Sequence, residues 1–176
     1  QYAKVIVLDD RADSTDKEEQ KILKNIAAKV EEILSAADIK VYDTASDEEY
    51  VTDQDVIHMA NSLPADMYIG LGLAKSVKDA GTFGTFAVYD PIYFQPGVSN
   101  AQAADAMERG VVLAVSGKAD GLKECTASSI LYQLQVPSTV IYPGYLTSDK
   151  EGDLLRQEEY QNLIAEGISK GVQEIY

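Results

Sequence analysis

Side chains able to hold a metal, move a proton or attack a carbonyl are few in this sequence, and most of them are acids. Asp9 and Asp10 end the β-rich apolar run "AKVIVLDD", at the kind of strand end where α/β proteins keep their chemistry. Paired carboxylates there suit a metal pocket of the receiver-domain type. That pocket needs a further Asp at a later strand end, and "GLGLA" offers none. Asp10, Asp13 and Asp16 fall three apart, whereas a calcium loop of EF type takes ligands at odd positions, a central Gly and a closing bidentate Glu. An exposed acidic turn that caps a helix accounts for them better. Gly70, Gly72 and Lys75 begin like a dinucleotide fingerprint, but the third Gly is missing and no Gly-Lys-Ser/Thr phosphate loop is present.

The remaining nucleophiles and ligands are isolated. His58 is the one histidine, so a zinc site built from two or three imidazoles cannot be assembled. Its place between Ile57 and Met59 in "DVIHMAN" reads as a helix surface. Cys125 lies in "KECTASS" with no His or basic cluster beside it, which reads as an inert thiol, and a single cysteine excludes an internal disulfide.

The elements that must position these groups alternate between strand and helix. "AKVIVLDD" (Ala3 to Asp10) reads as a central strand buried on both faces. A helix follows with Ile22, Ile26, Val30, Ile33 and Leu34 on one stripe, capped by Thr15 or Asp16. Ile39 to Thr44 reads as a second strand, and "DQDVIHMANSL" as a helix with Val56, Met59, Ala60 and Leu63 inward. The strand "MYIGLGL" comes next, then a glycine-punctuated loop from Lys75 to Gly84 and a strand from Thr85 to Asp90. The turn "PIYFQPG" is expected beside the same sheet end as Asp9. An Ala-rich helix capped by Ser99 or Asn100, the undecided "SSILYQL", a strand from Pro137 to Leu146 and one closing helix complete the chain. That last helix is expected to turn Leu154, Leu155, Leu163, Ile164, Ile168, Val172 and Ile175 inward. The fold class expected is α/β, a single three-layer domain over residues 1–176 with a mostly parallel twisted sheet flanked by helices.

Composition narrows the function classes. The 176 residues include 15 Lys and Arg against 29 Asp and Glu, a net charge of -14, which repels phosphate backbones and anionic lipid and argues against a nucleic-acid partner. No apolar run approaches the ~18 residues of a membrane span, so no membrane insertion is expected. The chain opens at Gln1 without a signal-like segment, which reads as a mature product or a trimmed piece of a longer chain.

In order, these segments resemble the zinc-dependent N-acetylmuramoyl-L-alanine amidases of the amidase-3 type. Where that family has a strand and "DPGHGG", this chain has "VIVLDDRADS", with Asp9 at the family Asp and Ala12 at the first zinc His. "EQKILKNIAAKVEEIL" fits a helix that begins with a liganding Glu, at Glu19 or, in the other register, Glu18. "VIHMANSLPADMYIGLGLAK" follows "RVxxANxxxADxFISIHxNA" through Ala60, Asn61, Ala65, Asp66 and Ile69, with Gly72 at the second zinc His and Val56 at the usual Arg. "PSTVIYPGYLTS" matches "PAVLVExGFLSN" at Pro137, Gly144 and Leu146, with Tyr142 at the catalytic Glu.

The resemblance implies the zinc amidase, phosphorylase/hydrolase-like fold, an extracellular or cell-wall location, and a catalytically silent member. Zinc is expected in the family and absent here, because Ala12 and Gly72 offer no ligand and a Tyr with a pKa of about 10 is a poor base at neutral pH. The partner implied is a peptidoglycan fragment or an envelope protein. The binding groove implied runs along Asp9, Asp13, Glu19, Gly72, Tyr89, Tyr93, Phe94, Tyr142 and Tyr145. The aromatic residues there either stack on sugar or peptide or refill the space vacated by zinc and its ligands. The alternatives are an active amidase that uses Asp9, Glu19 and Asp13 around another metal, and a structural or regulatory interaction module.

Overall fold

Val5 to Leu8 are β-branched or leucine without interruption, and they form the inner part of β1 (Lys4–Asp9), where Ile6, Val7 and Leu8 are fully buried. The structure is a computed structural model describing residues 4–11, 15–44, 51–92 and 96–176. Along the chain follow α1 (Lys17–Ser35), β2 (Ile39–Asp43), α2 (Asp53–Ser62), β3 (Met67–Leu71), β4 (Thr85–Tyr89), α3 (Asn100–Val115), β5 (Ala119–Glu124), a 3-10 turn (Ile130–Gln133), β6 (Ser138–Tyr142), α4 (Gly152–Leu155) and α5 (Glu158–Ile175). One six-stranded sheet has the order β2-β1-β3-β6-β4-β5. Pairing is parallel except between β6 and β4. This is a single α/β domain in three layers, as the alternation of segments predicts.

The layers divide the alternating side chains of each strand. Ile6 and Leu8 of β1, Met67, Ile69 and Leu71 of β3 and Ile141 of β6 pack with α1, α3 and α5. Val7, Tyr68 and Val56, Ile57 and Ala60 of α2 make a smaller core on the other face with Leu131 and Leu134. Helix α1 starts where Asp16 accepts from the Glu18 N–H at 2.9 Å, which decides the cap in favour of Asp16. Helix α3 starts at Ser99 in a reciprocal capping box with Gln102.

Five details depart from expectation. β5 is an edge strand that "ADGLKE" does not announce, because its residues are mostly exposed and carry no alternation. The closing helix is two pieces, broken where Gln157 is extended (φ -93, ψ 131). Its buried face runs through Leu155, Gln161, Ile164, Ala165, Ile168 and Val172, leaving Leu154 and Leu163 exposed. In α2 Ile57 is buried and Leu63, just past the helix, is exposed. β6 ends at Tyr142, earlier than Leu146.

Helices α3 and α5 touch backbone to backbone. A Cβ on Gly110 would lie 2.2 Å from the Gly167 carbonyl oxygen, and one on Gly167 would lie 2.6 Å from that of Gly110. Gly is disfavoured in a helix interior by about 1 kcal/mol relative to Ala, so its presence here reflects the close approach. We expect Gly110→Ala to lower the unfolding free energy by about 1–3 kcal/mol despite its better helix propensity. Urea unfolding followed by circular dichroism measures this, and an unchanged midpoint would mean the helices part without cost.

Candidate active site

The site is assembled at the carboxyl ends of β1, β3 and β6. Because β4 runs antiparallel to β6, with Phe86 opposite Tyr142 and Val88 opposite Val140, that same edge receives the amino end of β4. The register therefore carries Tyr89, at the far end of β4, to the opposite edge of the sheet. There its carbonyl accepts from the Cys125 N–H at 2.9 Å, and nearby Asn100 joins the Asp90 carbonyl to the Ser138 N–H at the start of β6. Tyr89 is thus not part of a groove with Asp9 and Gly72, a correction that follows from strand direction. Tyr93 and Phe94, expected in the same groove, lie outside the described residues, as do Ala12 and Asp13.

Asp9 is buried, and both its oxygens are engaged. Arg11 grips it bidentately, Nε to Oδ1 and Nη2 to Oδ2, each at 2.8 Å. The Thr44 hydroxyl donates to Oδ1 at 3.0 Å, and the fully buried Tyr68 hydroxyl donates to Oδ2. Arg11 in turn reaches the Val51 carbonyl and, at 3.1 Å, the Asp53 carboxylate at the start of α2. Burial pushes the Asp9 carboxyl up, but the hydrogen bonds from Arg11 and Tyr68 and the guanidinium charge outweigh it and hold the group below its usual range. Burial, then the adjoining Asp9 charge, pushes the Tyr68 hydroxyl well up. Asp9 is therefore committed to tying β1 to β2, β3 and α2. Asp10 is buried rather than part of an exposed acidic turn.

Gly72 continues β3, donating its N–H to the Ile141 carbonyl at 3.1 Å. A Cβ at this position would lie 2.5 Å from Cε1 of Tyr142, so the tyrosine ring occupies the space a side chain at 72 would need. The ring is stacked on Phe86 at 4.7 Å between centroids, and the Lys123 ammonium lies 3.9 Å from the Phe86 centroid. Tyr145 is buried, with its hydroxyl donating to Asp120 at 2.9 Å. Tyr142 and Tyr145 both pack against Phe86, at 4.7 and 5.7 Å between ring centroids.

Glu19, in the first turn of α1, is buried and paired with Lys75. The Lys75 Nζ is 3.0 Å from Glu19 Oε2 and 3.6 Å from Asp16 Oδ2. The hydrogen bond to Glu19 raises the Lys75 pKa. Glu18, the other register, lies outside and pairs with Arg156 at 3.0 Å. Lys75 is the site residue the sequence reading missed; in the sequence it figured as part of an incomplete dinucleotide fingerprint and as the start of a loop. Glu151 was missed as well. Its buried Oε1 accepts from the N–H groups of Gly84 at 2.9 Å and Tyr145 at 3.1 Å, joining the loops that follow β3 and β6.

His58 is exposed on α2, 3.4 Å from the Ser62 hydroxyl. Burial pushes the Cys125 thiol up, which favours the unreactive protonated form. Among the described residues no group of three or more His, Cys, Asp or Glu side chains could hold a metal ion. The three ligand positions implied by the resemblance supply one carboxylate, at Glu19, where a catalytic zinc takes three protein ligands. This donor set does not fit the ion.

The family model for N-acetylmuramoyl-L-alanine amidases matches residues 9–174. The chain belongs to the N-acetylmuramoyl-L-alanine amidase family. An uncharacterized Bacillus subtilis protein, YqiI, is 26% identical over 131 residues, which is 74% of this chain and 61% of that protein, so the chain spans about three fifths of this relative's length. Among solved amidases, the catalytic domain of CwlV from Bacillus (Paenibacillus) polymyxa superimposes with a TM-score of 0.83 at 23% identity, covering 97% of each chain. An amidase from Clostridium difficile 630 gives a TM-score of 0.86 at 23% identity, covering 99% of this chain and 97% of that one. The CwlD amidase of Clostridioides difficile, solved in complex with the GerS lipoprotein, gives 0.81 at 21% identity, with 98% of each chain covered. Together they place this chain in the fold of the amidase catalytic domains.

Two outcomes are expected from these contacts. Replacing Asp9 by Asn should cost roughly 2–3 kcal/mol at neutral pH, because it leaves the half-buried Arg11 guanidinium with the exposed Asp53 as its remaining counter-charge. The folded pKa of Asp9 is depressed, so its contribution is present above the unfolded value of about 3.9 and is lost as pH falls through the folded value. Urea titrations of the wild type and Asp9→Asn should accordingly converge below about pH 4, and parallel curves down to acid pH would contradict the network. Gly72→Ala should cost about 1–2 kcal/mol in the wild type and much less in a Tyr142→Ala background. Additive effects in that double-mutant cycle would show that the ring does not fill this space.

Proposed function

We propose that this chain is a catalytically silent amidase-like domain of the bacterial cell envelope, acting at the wall or outside the cell, where it binds peptidoglycan or a partner protein. The observation that carries this reading is the fate of the positions where the family keeps its chemistry. Glu19 is bound to Lys75, Gly72 has no side chain and Tyr142 packs on it, and Ala12 has no donor atom. The family's reaction needs a Lewis acid on the amide carbonyl and a base for the attacking water. Neither can be built from Glu19 and Tyr142, and such groups act as one unit whose loss costs several orders of magnitude in rate.

An active amidase organised around Asp9 and Glu19 finds less support, because the oxygens of Asp9 are taken up by Arg11, Tyr68 and Thr44. A protein partner is favoured over the glycan itself by the net charge of -14, since many walls also carry anionic polymers. The CwlD amidase solved with a lipoprotein gives that arrangement a precedent within the fold. No helix among the described residues is long and apolar enough to cross a membrane.

The test is hydrolysis of purified peptidoglycan with zinc supplied, followed by release of stem peptide. We expect no release above the protein-free control, and metal-dependent release would overturn the silent reading. Sedimentation with insoluble peptidoglycan, run beside capture of purified envelope lipoproteins, then separates a glycan ligand from a protein one.

A further inference from the structure

We infer that Lys75 is the resident cation of this site: its ammonium takes over from a metal ion the task of neutralising Glu19 and fastening the start of α1 to the end of β3. This rests on the reading that no zinc is held there, and it adds what holds the site together instead.

The need for a cation comes from Glu19. Its side chain is 7% exposed, and a carboxylate so far from water must have a counter-charge or strong donors. The helix N-terminus contributes part of this, and Lys75 brings the full positive charge to 3.0 Å. The same ammonium also reaches Asp16, the residue that caps α1, at 3.6 Å. One point charge therefore holds the cap and the first buried acid of the helix together.

The backbone that delivers Lys75 is fixed on both sides. The Ala74 N–H donates to the Gly144 carbonyl at 3.0 Å, and the Leu146 N–H donates back to Ala74 at 2.8 Å. The Ser76 N–H is held by the Thr147 hydroxyl at 2.9 Å. Lys75 thus leaves a pinned segment and spans from the β3 end to α1, as a bound ion with ligands on both elements would. An ammonium supplies charge and three donors but no vacant coordination position. Zinc approaching Glu19 would have to displace it.

Thermal unfolding of a small variant set tests this. Lys75→Met should lower Tm by roughly 3–8 °C, discounted for the partial exposure of the lysine. Lys75→Arg, which keeps the charge, should retain most of the wild-type value. The double variant Glu19→Gln/Lys75→Met removes both charges and should recover most of what Lys75→Met loses. The wild-type Tm should be indifferent to zinc in modest molar excess and to a chelator. An unchanged Tm for Lys75→Met, a double variant no better than the single one, or a chelator-reversible rise of the wild-type Tm with zinc would each overturn the inference. These readouts do not involve hydrolysis. An inactive protein whose Lys75→Met variant keeps its Tm refutes the resident cation alone, whereas stem-peptide release by the wild type refutes the silent reading.

Discussion

A carboxylate at the end of a central strand cannot be buried alone, and the way Asp9 is satisfied shapes everything around it. The planar guanidinium of Arg11 answers both oxygens at once, which a more flexible donor would do with less geometric definition. Arg11 then carries the connection to the beginning of α2, and Tyr68 carries it to β3. Strand ends that would otherwise splay where the sheet twists are held in a common frame. The positions of Gly72 and of Lys75 beyond it are referred to that frame through β3.

Within it, two residues of opposite size fit one another. A missing side chain at 72 leaves a hollow, and the larger ring at 142 lies in it, supported from β4 by Phe86. Interiors are packed nearly as densely as crystals, so a hollow left by a glycine is costly unless something fills it. Polar balance is kept in the same way, since the buried Glu19 is matched by the Lys75 ammonium from the adjoining loop. On the proposed reading, lost chemistry is accompanied by repacking rather than by an open cavity.

Much of the architecture was legible because it rests on local pattern. Val5 to Leu8, the stripe of α1 and a cap at Thr15 or Asp16 are dictated by neighbours a few residues away, and the family motifs gave the order of the segments. What escaped depends on partners far along the chain. Nothing in "TFAVYD" states that its strand runs against β6, and that direction alone moves Tyr89 to the opposite edge. Exposed "ADGLKE" pairs along one side only, so it needs no apolar signature. Lys75 and Glu19 are separated by a strand, a helix and another strand. Their attraction is visible only once the sheet has brought β3 beside α1. The extended residue Gln157 interrupts a sequence whose helical periodicity continues through it, which hides the break.

β5 leaves one side of the sheet open, and its shape decides what that side can accept. Gly121 sits at φ +99, the register with β4 slips between Thr85 and Phe86, and Lys123 is turned toward Phe86. A border that is kinked and charged is a poor template for another chain to extend. At this edge the sheet thus resists being lengthened by a strand from a second molecule.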